Sequence, residues 1–242
     1  MIDLLRWRHP LPIIGLASRS ATFWNTTTMK LFVYDHCPFC VKARTIFGLK
    51  GTAFELVVLL NDDEATPTRM IGKKMAPILE HDGRYIAESM DIVAYVDGLS
   101  GARVLSGASN PALGEWNSEV TGPLYSLAIP RWANADFEEF STPAARAYFT
   151  RNKEAMLGSF KDHMAASADY IATLNRHLLA LAPMIQSPDA VNGELSEDDV
   201  HLFATLRSMS IVGGIEYPPA VEAYRLRMAE RTGVDLHDSI AS

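Results

Sequence analysis

The chain has 242 residues, enough for one large domain or two small ones with cores of their own. Hydrophobic residues make up 48% and charged residues 21%, a globular composition, and no apolar run approaches the roughly 20 residues that span a bilayer. The net charge of −7 advertises no nucleic-acid surface, and two cysteines three positions apart exclude a secreted disulfide framework.

Residues 1–28 differ in character from the rest of the chain. Arg6 and Arg8 precede a short apolar patch at 11–16, broken by Pro12 and Gly15, and then polar Ser/Thr-rich sequence. A secretory signal needs a longer apolar core and a small-residue cleavage site. The segment reads as a disordered leader or a start placed upstream of the working one at Met29, with a targeting peptide as the other reading.

Folded periodicity begins at Met29. Residues 30–34 suit a buried strand. After a turn at Asp35 and His36, the tetrad Cys37-Pro38-Phe39-Cys40 opens a helix over 38–50, with Pro38 at its first position and Gly51 as its stop. Cys40, Ala43, Ile46 and Phe47 fall on its core face, Lys42 and Arg44 nearer water. Residues 54–60 form a second strand, so the pair makes a right-handed β-α-β unit. A short helix follows at 66–71, ending at Gly72. Strands at 77–81 and 84–86 flank Asp82-Gly83, a hairpin signal. Ser89 caps a helix running to about Leu99. The predicted fold is an α/β layered domain with helices on both faces of a four-stranded mixed sheet.

From Gly101 to Asn110 the chain reads as a linker. Beyond Pro111 no strand pattern returns. Helical patterns cover 111–130, 142–182, 196–213 and 217–232, the 142–182 stretch as two or more helices. Ser196 and Asp199 form a capping box variant ahead of Leu202, Phe203, Leu206 and Met209. The second domain is predicted to be all-α.

The tetrad carries the chemistry. A thiol attacks a disulfide only as thiolate. Cys37 sits where unpaired N–H groups and the positive end of the helix dipole favour negative charge. That makes Cys37 the predicted nucleophile and Cys40, one turn on, the resolving thiol. Zinc would need further ligands, which the two-cysteine count and the absence of an H-x3-5-H pair do not supply. Val41 after Cys40 excludes the covalent haem motif. Two unreactive buried cysteines remain the plain alternative.

Lys30 to Gly101 resembles the thioredoxin-like domain of glutaredoxins, with Cys-Pro-Phe-Cys as a glutaredoxin-type active site. The chain from Met29 onward resembles the type-2 glutaredoxins, which join such a domain to an all-helical one in the manner of glutathione S-transferases. The segments that carry this are Tyr-Asp-His-Cys-Pro-Phe-Cys (34–40), Leu-Leu-Asn-Asp-Asp (59–63), Thr-Pro-Thr-Arg-Met (66–70), Glu-Ser-Met-Asp-Ile-Val (88–93), Phe-Ser-Thr-Pro-Ala-Ala-Arg (140–146) and Val-Asn-Gly-Glu-Leu-Ser-Glu-Asp-Asp (191–199). Residues 1–28 have no counterpart in it.

The resemblance implies domains at 29–101 and 111–242 joined through 102–110, glutathione as co-substrate, and glutathionylated or disulfide-bonded proteins as partners. It implies a cis proline at Pro77 against the active-site cysteine. Met75 and Ala76 would pair with the cysteinyl part of glutathione, Glu88 and Ser89 would hold its γ-glutamyl group, and Lys74 would meet its glycyl carboxylate. Tyr34 and Phe39 would flank the sulfur. A helix start at Ser89 can bind a carboxylate on physical grounds alone. Family members often carry Val where Ala76 stands, so this wall would be roomier. The resemblance favours a monomer, and the cysteine usage favours a reducing cytoplasm. Three rivals stand beside this reading: a glutathione S-transferase-like conjugating enzyme, a thioredoxin reduced by a flavoenzyme, and a non-enzymatic helical binding module.

Overall fold

The computed structural model describes residues 29–242; the leader predicted over 1–28 lies outside the described residues. The first half runs β1 (Lys30–Val33), α1 (Pro38–Lys50), β2 (Glu55–Val58), α2 (Ala65–Ile71), β3 (Ile78–His81), β4 (Arg84–Ala87) and α3 (Ser89–Gly98). The strands form one mixed sheet in the order β2-β1-β3-β4. β1 pairs parallel with β2, placing Leu31 beside Leu56, and antiparallel with β3, placing Leu31 beside Leu79. Asp82 and Gly83 both take positive φ, 52° and 72°, the conformation a two-residue hairpin needs.

Side chains alternate across the sheet as a strand requires. Leu31, Val33 and Leu79 join Cys40, Ala43, Ile46 and Phe47 of α1 and Ile92, Val93 and Val96 of α3 in one core. Phe32, Tyr34 and Ile78 face the other way, against Met70 and Ile71 of α2. The predicted layering, with helices on both faces of a four-stranded mixed sheet, is the observed one.

The second half is helical: α4 (Pro111–Asn134), α5 (Pro143–Leu157), α6 (Phe160–Ala165), α7 (Ser167–Leu181), α8 (Glu197–Met209) and α9 (Pro219–Thr232), with a one-turn helix at Glu138–Phe140. The predicted 142–182 stretch resolves into three helices, α5 to α7. α4 continues four residues beyond the predicted 111–130, although Pro123 and Pro130 lie inside it. Each proline deletes one helical N–H, but Leu124, Leu127, Ala128, Ile129 and Trp132 are buried along the same stretch and hold it in place. The Ser196–Asp199 capping box is formed, and the Asp199 carboxylate also accepts the Val191 N–H at 2.7 Å and the Tyr224 hydroxyl at 2.9 Å.

The connection at 102–110 carries no helix or strand but is tied down. Asp97 accepts the Val104 N–H at 2.8 Å, Leu195 O accepts the Gly107 N–H at 2.8 Å, and Asp198 accepts the Asn110 N–H at 2.6 Å. The two halves also share their cores. Val41 of α1 is buried in the helical core, and Val200 of α8 is buried in the core beside the sheet. Among the described residues no helix is long and apolar enough to cross a membrane.

Three local expectations are corrected. Ser89 is the first helical residue of α3, not its cap; Glu88 holds the cap position with φ at +67° and makes no side-chain cap bond. Arg44 does not face water. Its side chain is 12% exposed because it turns to pair with Asp35. Pro77 precedes β3, which opens at Ile78.

Candidate active site

β1 ends at Val33, the chain turns through Tyr34 to His36, and Cys37 takes extended angles (φ −73°, ψ 121°) at the cap of α1. Pro38 follows at the first helical position, where its missing N–H costs nothing. The Cys37 N–H donates to Tyr34 O at 3.2 Å, and Cys37 O accepts from Val41 N–H at 3.0 Å. Cys37 is half-buried and Cys40 fully buried; both are free thiols. The Tyr34 N–H points at Cys40 Sγ at 3.4 Å.

These surroundings split the two thiols. A hydrogen bond from Cys40 pulls Cys37 down; burial opposes it, but the charge of His36 and the N–H groups of Cys40 and Phe39 add to the pull, and its pKa falls to about 6. Burial pushes Cys40 far up, and its bond to Cys37 adds to that. At neutral pH the arrangement makes one thiolate, on Cys37, with a protonated donor one turn behind it.

Cys37 opens into a cleft of about 360 Å³ between the sheet half and α5. One wall is Lys74, Met75 and Ala76; the facing wall is Tyr148, Asn152 and Lys153 of α5. The Ala76–Pro77 peptide is cis, and Pro77 is buried. Lys74 Nζ donates to Asn61 O and lies 3.9 Å from the centre of the Tyr148 ring. Cys37, Lys74, Met75 and Ala76 are thus brought together.

Glu88 and Ser89 stand outside this cleft lining. Ser89 is 6% exposed at the first turn of α3, and the exposed Glu88 pairs with Lys73 at 3.2 Å. A non-glycine residue at Glu88's φ is strained by about 1–3 kcal/mol. Phe39 is half-exposed and is not part of the Cys37 cleft lining. It lines a second cleft, about 330 Å³, with Lys42, Tyr125 and His201, and the Lys42 ammonium lies 5.0 Å from its ring centre.

Sequence reasoning assigned no role to the residues that brace the tetrad from the helical half. Glu139 is fully buried, and its Oε1 faces both the ring Nδ1 of His36 at 2.6 Å and the His36 backbone N–H at 3.0 Å. Arg207 of α8 is 2% exposed and donates to the backbone and carboxylate of Asp35. The motif 34–40 carried one signal for them: an acid and a histidine directly ahead of the cysteine.

Two family models match: the C-terminal domain of glutaredoxin 2 over residues 112–241, and the N-terminal domain of glutathione S-transferases over residues 31–103. Glutaredoxin 2 of Escherichia coli K12 is 53% identical over 214 residues, covering 88% of this chain and 100% of the relative. The crystal structure of glutaredoxin 2 from Salmonella typhimurium in complex with glutathione superposes with a TM-score of 0.88 at 56% identity, covering 90% of this chain and 100% of that one. A glutathione transferase of Phanerochaete chrysosporium matches at a TM-score of 0.66 and 15% identity, over 86% of this chain and 99% of its own, a likeness of fold alone.

Proposed function

On the premise that this chain belongs to the glutaredoxin 2 family and is a glutathione-dependent thiol–disulfide oxidoreductase, we propose that Cys37 is its nucleophile and Cys40 its resolving thiol. The observation that carries this reading is the split of the two thiols: Cys37 half-buried at a helix start and drawn down to about 6, Cys40 buried and pushed up. The reading gives the redox chemistry to residues 29–101, the connection to 102–110 and the helical domain to 111–242.

Glutathione binds along the Cys37 cleft, its cysteinyl part against Met75 and Ala76 and its glycyl carboxylate at Lys74. Glu88 and the start of α3 at Ser89 hold the γ-glutamyl end. The Salmonella relative, solved in complex with glutathione, supports this co-substrate. The Cys37 thiolate attacks the glutathione sulfur of a mixed disulfide, and the target leaves as a thiolate and takes a proton. A second glutathione thiolate attacks the Cys37–glutathione disulfide, releasing glutathione disulfide and restoring the Cys37 thiolate.

With a protein disulfide, the Cys37 thiolate attacks one target sulfur and breaks the target S–S bond, the other target sulfur leaving as a thiolate that takes a proton, so that Cys37 and the target share a mixed disulfide. Cys40 gives up its proton to the departing target sulfur as it attacks, displaces the target as a thiol and closes a Cys37–Cys40 disulfide, which two glutathiones reduce to two thiols with formation of glutathione disulfide. Glutathionylated and disulfide-bonded proteins are the partners. The protein acts as a monomer in a reducing cytoplasm, a compartment that fits its two free thiols.

The test is a Cys37→Ser and Cys40→Ser pair assayed on a glutathionylated peptide with glutathione and glutathione reductase. Cys37→Ser is expected to be inactive and Cys40→Ser to retain turnover. The reverse pattern would sink the assignment.

A further inference from the structure

Glu139 belongs to the one-turn helix between α4 and α5, 103 positions from His36, and it is buried at the seam between the halves. Its Oε1 meets the His36 ring at 2.6 Å and the His36 backbone N–H at 3.0 Å, while its Oε2 has no hydrogen-bond partner among the described residues. The imidazole lies among the rings of Trp132, Phe140 and Phe149, with centroids 5.1, 5.2 and 5.0 Å away. A carboxylate in such surroundings needs cations beside it: the ring in contact with Glu139 is His36, and the charge of Arg207 reaches it as well.

We propose that His36 and Glu139 act as a charge pair that biases the two thiols toward a thiolate on Cys37, which makes Glu139 a positioning residue contributed to the redox site by the helical half. The proposal rests on the reading of Cys37 as the nucleophile.

The geometry gives the pair a direction. His36 lines the same cleft as Cys37, whereas Glu139 is not part of that lining, so the His36 end of the pair is the one turned toward the reacting sulfur. The charge of His36 draws Cys37 down, and the charge of Glu139 pushes Cys40 up.

Other charged or titratable groups among the described residues also face the site. Asp35 of the turn is taken by Arg44 of α1 and Arg207 of α8. Lys42 of α1 sits over the Phe39 ring and adds a weaker positive charge from the far side. Burial keeps Tyr34 of the turn and Tyr125 of α4 protonated, and keeps His237 of the C-terminal segment neutral. Asp63, after β2, and Tyr148 of α5 face Tyr34 from beyond it.

The experiment follows alkylation of each cysteine by iodoacetamide across pH, with the modified residue read by mass spectrometry. In the native protein the acid-reactive thiol is expected to be Cys37, with a midpoint near 6. Glu139→Gln keeps the side-chain shape and can still accept both His36 N–H bonds, but it removes the charge. The midpoint is then expected to rise by about one pH unit, slowing Cys37 alkylation about tenfold at pH 5.

His36→Gln is expected to shift the midpoint in the same direction and decides the matter if Glu139→Gln does not fold. Glu139→Asp, which restores the charge, is expected to return the midpoint toward the native value. A purely structural role predicts an unmoved midpoint in folded Glu139→Gln or His36→Gln, and that result overturns the proposal. If the acid-reactive thiol of the native protein is Cys40, the nucleophile reading itself fails before any variant is compared.

Discussion

Arg207 holds Asp35 from the far half of the molecule: its guanidinium donates to Asp35 O at 2.7 Å and to the two carboxylate oxygens at 3.1 and 3.2 Å. Its Nε donates to Asp235 O at 2.7 Å. The turn that presents Cys37 is thus fixed by a cation buried in α8. Arg207→Leu strands the Asp35 carboxylate with Arg44 alone and removes all four bonds. Because Arg44 still compensates Asp35 and that carboxylate is 31% exposed, the loss is expected at about 1.5–3 kcal/mol, the size of a lost hydrogen bond to a charged group. Urea denaturation measures this, and a loss below about 1 kcal/mol would show that the clasp is not structural.

His237 gives the fold an acid limit. It is 4% exposed, packs edge-on to Phe137 at a centroid distance of 5.1 Å, and lies near Arg207. Burial and the Arg207 charge bring its pKa down to about 3. An unfolded histidine titrates near ~6.5, so from there down to about 3 the unfolded chain binds the extra proton and the folded one does not. The stability due to neutral His237 is therefore complete above about pH 6.5 and drains away on acidification, by at most about 1.4 kcal/mol per pH unit. Asp35, drawn down by Arg207 and Arg44 against its burial, acts in the same sense only below about pH 4. In His237→Gln the slope between pH 6.5 and 4.5 is expected to flatten, read as the difference in unfolding free energy from the native protein at each pH. An unchanged slope would remove His237 from the account.

Glycine-to-alanine changes should have opposite signs at two helix positions. A Cβ on Gly48 of α1 would run into the Thr232 backbone of α9, whereas one on Gly114 of α4 would meet nothing within 4 Å among the described residues. Alanine favours a helix interior over glycine by about 1 kcal/mol, so Gly114→Ala is expected to stabilise by up to that amount. Gly48→Ala is expected to destabilise by about 1–3 kcal/mol, because backbone must move to make room. Thermal melts of the two variants decide this, and equal shifts would mean that α1 and α9 are not in close contact.

Lys74 should govern affinity for glutathione more than turnover. Its ammonium is fixed by Asn61 O and the Tyr148 ring at the edge of the Cys37 cleft. A hydrogen bond to a charged group contributes about 1.5–3 kcal/mol. Lys74→Met is expected to raise KM for glutathione at least tenfold with little change in kcat. The variant should also lose discrimination against glutathione carrying a glycyl amide. If steady-state kinetics show KM unmoved, the carboxylate binds elsewhere.

The features legible in the sequence were local. The strand-turn-helix around the tetrad, the Asp82-Gly83 hairpin and the Ser196–Asp199 box each lie within a few residues, where turn chemistry and periodicity act directly. Helix ends were less legible. The helical pattern is read to 130, yet burial of Trp132 and Ala133 carries α4 on to Asn134. Ser89 reads as a cap, but the cap position falls one residue earlier, on Glu88. The bracing of the site was not legible at all. His36–Glu139 and Asp35–Arg207 span 103 and 172 positions and join the two halves, and a single pairing of that kind leaves no period to detect. Arg44 was misjudged for the same reason, since helical spacing puts it on the wet face and only its partner draws it in.

The exchange of Val41 and Val200 between the two cores bears on what can be built from this protein. A chimera that keeps either half and grafts on a foreign one would inherit a vacant socket in the retained core and an exposed valine on the retained helix. Both defects would need redesign together, at α1 and at α8. Transplanting the Cys37 site as a free-standing module therefore means reengineering a seam rather than cutting a linker.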